Sequence, residues 1–215
     1  MDKSAKDKSS AVRYSVHPAI LMVQKAIAGL KEKTGRTLDD WLTFIAAEGP
    51  RTEAQRRDWL KKVHALGTNY AGWLAERSVG KGDEDGDPET YLRAAVRYVD
   101  EMYDGPKAGL RPIYDALLKR GLALGPDVRA CPCKTIVPLY RVHVIAQIRP
   151  TTRTRVDLGL ALASLMGKRK LPARLIDIGG FAKKDRITHR IPIATLDEID
   201  DEVCRWLKTA YDLDT

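Results

Sequence analysis

The stretch YRVHVIAQIRPTTRTRVDLG, residues 140–159, carries Arg141, Arg149, Arg153 and Arg155, with His143 and Asp157 among them. A guanidinium is planar, permanently charged and forked, so it can hold a phosphate or a carboxylate through paired N–H donors. Lys134 lies upstream of this stretch and His189 and Arg190 downstream. These are residue types for anion recognition. Signatures of catalysis do not accompany them: the sequence has no G-x-x-x-x-G-K-[ST] loop, no glycine fingerprint between a strand and a helix, and no G-x-S-x-G elbow. Asp157 has no E-x-K pattern nearby of the kind that would suggest a metal-dependent nuclease. His189 beside Arg190 reads as a hydrogen-bonding structural histidine rather than a general base. The expectation is a binding protein, not an enzyme.

Metal chemistry is also not indicated. Cys131 and Cys133 in ACPC are closer in sequence than the cysteine pairs that usually hold zinc, and a zinc site needs four ligands. Asp83, Asp85 and Asp87 alternate as calcium-loop ligands do, but Pro88 stands where that loop needs glycine and Ala94 where it needs the bidentate glutamate. No cofactor is expected. Three cysteines fit a reducing, cytoplasmic setting better than a disulfide framework.

The elements that must position the arginines are readable from periodicity. Pro18 fits a first helical position, followed by Ile20, Val23, Ile27 and Leu30 at helix spacing. Thr37 with Asp40 and Thr52 with Gln55 are capping boxes for two more helices, and a short one covers 69–77. Trp41, Trp59 and Trp73 sit among apolar residues there and read as the core of a small bundle. The acidic, glycine-containing VGKGDEDGDPET reads as a linker ending in an Asp87-Pro88 helix start. Two further helices, 88–103 and 107–120, precede short β-branched runs, and Thr195 with Glu198 is the capping box of a closing helix. The predicted fold is α+β: a small N-terminal helical bundle, then a mostly antiparallel sheet packed against helices. The predicted domains are a disordered tail 1–10, a helical domain 11–80, a linker 81–90 and an α+β domain 91–215.

Strand parity then sorts side chains into faces. Reading 140–149 as one strand puts Val142, Val144, Ala146 and Ile148 toward the core and Arg141, His143, Ile145, Gln147 and Arg149 on the other face. A hairpin turn at Pro150 leads to a strand with Val156, Leu158 and Leu160 inward and Arg153, Arg155 and Asp157 outward. One face would then carry a continuous arginine cluster. The charge distribution agrees: from Lys134 to Arg190 there are thirteen Lys/Arg against three acids, in a chain of net charge +8. Such a surface suits nucleic acid or an acidic protein. Nothing in the chain is long and apolar enough for a membrane span, so no membrane partner is expected. Oligomeric state is not legible.

RPTTRTRVDLGLAL with ITHRIPIATLDEIDDEVCRWLKTAY resembles the C-terminal domain of a bacterial two-domain family of unknown function. TGRTLDDWLTFIAAEGPRTEAQRRDWLKKVHALG resembles the small helical domain that often precedes it, although relatives tend to show a glycine–histidine pair where this chain has Gly67-Thr68-Asn69. The resemblance implies a small α/β fold distantly similar to frataxin-like and YjbR-like domains, some of them labelled DNA-binding. Carried over position by position, it points to Lys134, Arg155, Asp157, Thr188, His189, Arg190 and Tyr211. The expected site is therefore Lys134, Arg141, His143, Arg149, Arg153, Arg155, Asp157, His189 and Arg190. The expected ligand is nucleic acid or another polyanion, and the alternative is a protein-interaction or small-anion module.

Overall fold

Thr37 and Thr52 cap helices as their spacing predicts, in a computed structural model that describes residues 14–167 and 171–215. In both boxes the threonine hydroxyl accepts from the third helical N–H while the Asp40 or Gln55 side chain accepts from the cap N–H. The predicted tail 1–10 and the basic run 168–170 lie outside the described residues. The chain divides into two units, 16–94 and a second that takes in Ser15 and 95–215.

The first unit is helical: α1 Pro18–Ala28, α2 Leu30–Thr34, α3 Leu38–Glu48, α4 Glu53–Lys62 and α5 Thr68–Arg77, followed by the start of α6, Pro88–Met102. Its core is Leu30, Trp41, Ile45, Leu60, Ala71, Leu74 and Ala75, with Trp59 and Trp73 packed against it. The tryptophans thus pack against the core, and Trp41 Nε1 donates to Thr34 Oγ1 at 2.8 Å. The acidic stretch is less featureless than a linker. Asp83–Asp85 closes a 3-10 turn, Arg77 lies 3.5 Å from Asp83, and Asp87 accepts from the Thr90 N–H at the start of α6. The division into units falls further on, inside α6.

The second unit is the α+β part. It holds the rest of α6, α7 (Arg111–Leu122), α8 (Asp201–Asp212) and strands β1 Arg129–Ala130, β2 Val137–Tyr140, β3 Val144–Pro150, β4 Val156–Leu160, β5 Ile176–Asp177 and β6 His189–Ile193. The sheet order is β1-β2-β3-β4-β6-β5, antiparallel at every pairing. Helix α7 approaches one sheet face so closely that a side chain at Gly121 would meet Leu139. Leu117, Leu118, Val203, Leu207 and Ala210 of α7 and α8 join Ala146, Ile148, Leu158 and Leu160 in one core. The Thr195–Glu198 box forms, but on a 3-10 turn, Leu196–Glu198; α8 itself starts later, with Asp200 accepting from the Val203 N–H. Among the described residues no helix is long and apolar enough to cross a membrane.

Candidate anion-binding site

The predicted alternation holds where the strands are regular. In β3 and β4, Ala146, Ile148, Val156, Leu158 and Leu160 are fully buried on the helix-covered side. Gln147 pairs with Gly159 and Arg149 with Asp157. These four positions therefore share the opposite face, since side chains alternate along a strand. Strand β6 adds Arg190 and Pro192 there, opposite Gly159 and Asp157. A side chain at Gly159 would run into Gln147 and Ile187 at under 3 Å, so glycine is required where the strand is covered.

Asp157 organises this face. It is only 7% exposed, and its Oδ2 accepts from Arg190 Nη1 at 2.7 Å and from the Thr151 hydroxyl at 2.8 Å. Arg155 Nε lies 2.8 Å from Asp157 Oδ1. A buried carboxylate needs compensating charge and hydrogen bonds: Oδ2 has both, whereas the Arg155 Nε–Oδ1 approach is an ion-pair contact without hydrogen-bond geometry. Arg149 occupies the strand position directly across the β3–β4 ladder from Asp157.

The single arginine surface expected from parity does not form. Residues 141–143 are a turn, not strand: Tyr140 pairs with Val144, and the Arg141 N–H donates to the His143 carbonyl at 2.9 Å. A register shift beside Tyr140 places Ile145 in the core and leaves Val142 62% exposed. Parity cannot be carried through such an irregularity, because an extra residue reverses every assignment beyond it. Arg141 and His143 grip the end of α8 instead. Arg141 Nε meets Asp127 at 2.8 Å, Nη1 donates to the Tyr211 and Asp214 carbonyls, and the guanidinium lies over the Tyr211 ring. The hydrogen bond from Arg141 holds the Asp127 carboxyl below its ordinary range. His143 meets buried Asp214 through both its backbone N–H and Nδ1, and Arg186 reaches the same carboxylate at 3.0 Å.

Arg149 and Arg153 are different. Both are exposed, and among the described residues neither guanidinium has an acidic or hydrogen-bonding partner. Both line one open cleft of about 480 Å³, together with Lys107, Lys134 and Thr151. Lys107 Nζ is fixed by the Pro150 carbonyl at 2.8 Å. Lys134 stands 6.0 Å from the Tyr98 ring centroid. Two acids, Glu101 and Asp104, also line the cleft, but Arg97 lies 3.6 Å from Glu101 and Asp104 accepts from the Gly105 N–H. The cleft is therefore a cationic recess whose volume falls in the usual range for small ligands, roughly 300–1,000 Å³.

His189 lies away from the cleft. It is 4% exposed, its Nδ1 is 2.9 Å from the Thr188 hydroxyl, and burial holds its pKa below the ordinary histidine value. Cys131 is fully buried, and burial pushes its thiol up to about 12. Among the described residues, no group of three His, Cys, Asp or Glu side chains could hold a metal ion. Of the predicted site residues, the structure brings Lys134, Arg149 and Arg153 to the cleft and Arg155, Asp157 and Arg190 to the adjoining face. It sends Arg141, His143 and His189 elsewhere. Lys107 was missed, since it lies on the 3-10 helix Gly105–Leu110, remote in sequence from the arginines and without a motif.

Residues 99–214 match the model of a family described as Domain of unknown function (DUF5655). Residues 22–77 match a second, Domain of unknown function (DUF4287). No curated protein and no solved structure shows a significant match.

Proposed function

The chain belongs to the DUF5655 family, and within it we propose a non-catalytic role: recognition of a small anion, phosphate-like in charge and shape, by the cleft at the β3–β4 hairpin. One observation carries this reading. Among the described residues, Arg149 and Arg153 are the arginines of the hairpin left without a carboxylate, and both line the same recess. A nucleic-acid backbone needs a long stripe of uncompensated cations and roughly 1,000–2,500 Å² of buried surface. Here Arg141, Arg155 and Arg190 are each paired with an acid, which interrupts such a stripe. A cytoplasmic setting suits the three free cysteines.

Calorimetric titration of the full chain with inorganic phosphate tests the proposal. One saturable site is expected, lost in Arg149→Gln/Arg153→Gln and kept in Arg141→Gln. Absence of phosphate binding, together with tight binding of a mixed-sequence oligonucleotide that Arg155→Glu and Arg190→Glu abolish, would return the function to nucleic acid.

A further inference from the structure

Building on the cleft reading above, we propose that the cleft selects an oxyanion that still carries a proton. Its ligand is then inorganic phosphate, as hydrogenphosphate, rather than sulfate or the dianion of a phosphate ester. Arg149 and Arg153 bring positive charge to the recess, which attracts any small anion. Two further polar groups lining the same recess can only accept a hydrogen bond, and these discriminate.

The first is the Thr151 hydroxyl, which lines the cleft. It lies 2.8 Å from Asp157 Oδ2 and 3.4 Å from the Arg149 carbonyl oxygen. Both neighbours are acceptors, so the single hydroxyl proton is committed to them. What Thr151 Oγ offers a ligand is a lone pair. The second is Asp104, also on the cleft wall. Its Oδ1 accepts from the Gly105 N–H at 2.7 Å, capping the 3-10 helix Gly105–Leu110. Its Oδ2 has no hydrogen-bond partner among the described residues. Glu101, the other acid of the cleft, lies 3.6 Å from Arg97 on its own helix. Asp104 Oδ2 is therefore the carboxylate oxygen left for a ligand.

Hydrogenphosphate and sulfate are tetrahedral dianions of similar size, so the cations alone cannot tell them apart. They differ in one O–H. Hydrogenphosphate can donate it to Asp104 Oδ2 or Thr151 Oγ. Every oxygen of sulfate is an acceptor and would face those lone pairs unsatisfied, the costly arrangement for a desolvated polar group. A phosphate monoester loses its last proton at about pH 6, and above that it behaves as sulfate does. Inorganic phosphate keeps a proton throughout the neutral range.

The experiment is calorimetric titration of the full chain with phosphate, sulfate and methyl phosphate, on wild type, Asp104→Asn and Glu101→Gln. At about pH 8 phosphate should bind at least about tenfold more tightly than sulfate, the worth of one hydrogen bond to a charged group. Asp104→Asn keeps the cap, because its amide oxygen still accepts from Gly105, and it replaces the free acceptor with a donor. Phosphate should weaken and sulfate strengthen, bringing the two within about twofold. Glu101→Gln removes the same charge from the cleft, so it should strengthen both anions alike and leave their ratio unchanged. Methyl phosphate should bind more tightly at about pH 5.5 than at about pH 8, the reverse of what charge alone dictates in a cationic cleft. No histidine is among the described residues lining the cleft, so the ligand is what titrates between those values. Equal or reversed affinities for phosphate and sulfate in wild type would overturn proton recognition while leaving the cleft intact. So would a preference that survives Asp104→Asn, or methyl phosphate matching phosphate at the higher pH. No binding of either inorganic anion would overturn both readings.

Discussion

Replacing Asp157 with alanine should destabilise the sheet more than replacing either arginine it holds. The substitution leaves Arg155 and Arg190 partly buried without their acid. Removing one partner of a fully buried pair costs about 3–5 kcal/mol. The arginines keep about a third of their side chains in water and can turn outward, which lowers the expectation to about 2 kcal/mol. Arg190→Ala leaves Asp157 with Arg155 and the Thr151 hydroxyl, so its cost should be about 1 kcal/mol. Hydrogen exchange of the β3 and β4 amides in the full chain reads these opening free energies locally, undisturbed by the helical unit. If Asp157→Ala stays within about 0.5 kcal/mol of wild type, or costs no more than Arg190→Ala, Asp157 does not organise the face.

Gly180→Ala should lose about 1–3 kcal/mol, because its new methyl would meet the Ile187 carbonyl, which is backbone and cannot swing aside; Gly109→Ala, with open space around it, is the control in a thermal melt. Burial raises the Asp214 carboxyl, but the hydrogen bonds from His143 and the charges of His143 and Arg186 outweigh it and hold the group below its ordinary range. Its contribution is therefore fully present above the unfolded aspartate pKa of about 3.9 and lost as pH falls through the folded value, so Asp214→Asn should flatten the acid limb of urea unfolding. His189, lowered by burial, acts at milder pH: stability should begin to fall below about 6.5, and His189→Gln should remove that part of the loss. In a native thiol assay Cys133 and Cys204 should react, while Cys131, fully buried with its thiol pushed up to about 12, should react only on unfolding.

What the sequence made legible follows the range of each signal. Capping boxes are local, and Thr37/Asp40 and Thr52/Gln55 form as their three-residue spacing requires. Alternation is local too, and it sorted Ala146 to Arg149 and Val156 to Leu160 onto their two faces. It failed at 141–143, where a turn and a register shift interrupt the strand without any glycine or proline to announce them. The partition of the arginines was not legible at all. Whether a guanidinium is free depends on acids distant in sequence, such as Asp127 for Arg141 and Asp157 for Arg190, and on the pairing of β4 with β6. Lys107 enters the site from a separate helical segment for the same reason.

The most direct test of the anion cleft is an amide NMR titration of the isotopically labelled full chain with inorganic phosphate. The account predicts saturable shifts confined to residues 149–153, Lys107 and Lys134, and absent from Arg149→Gln/Arg153→Gln. Shifts centred on 141–143 and the end of α8, or none at millimolar phosphate, would contradict it.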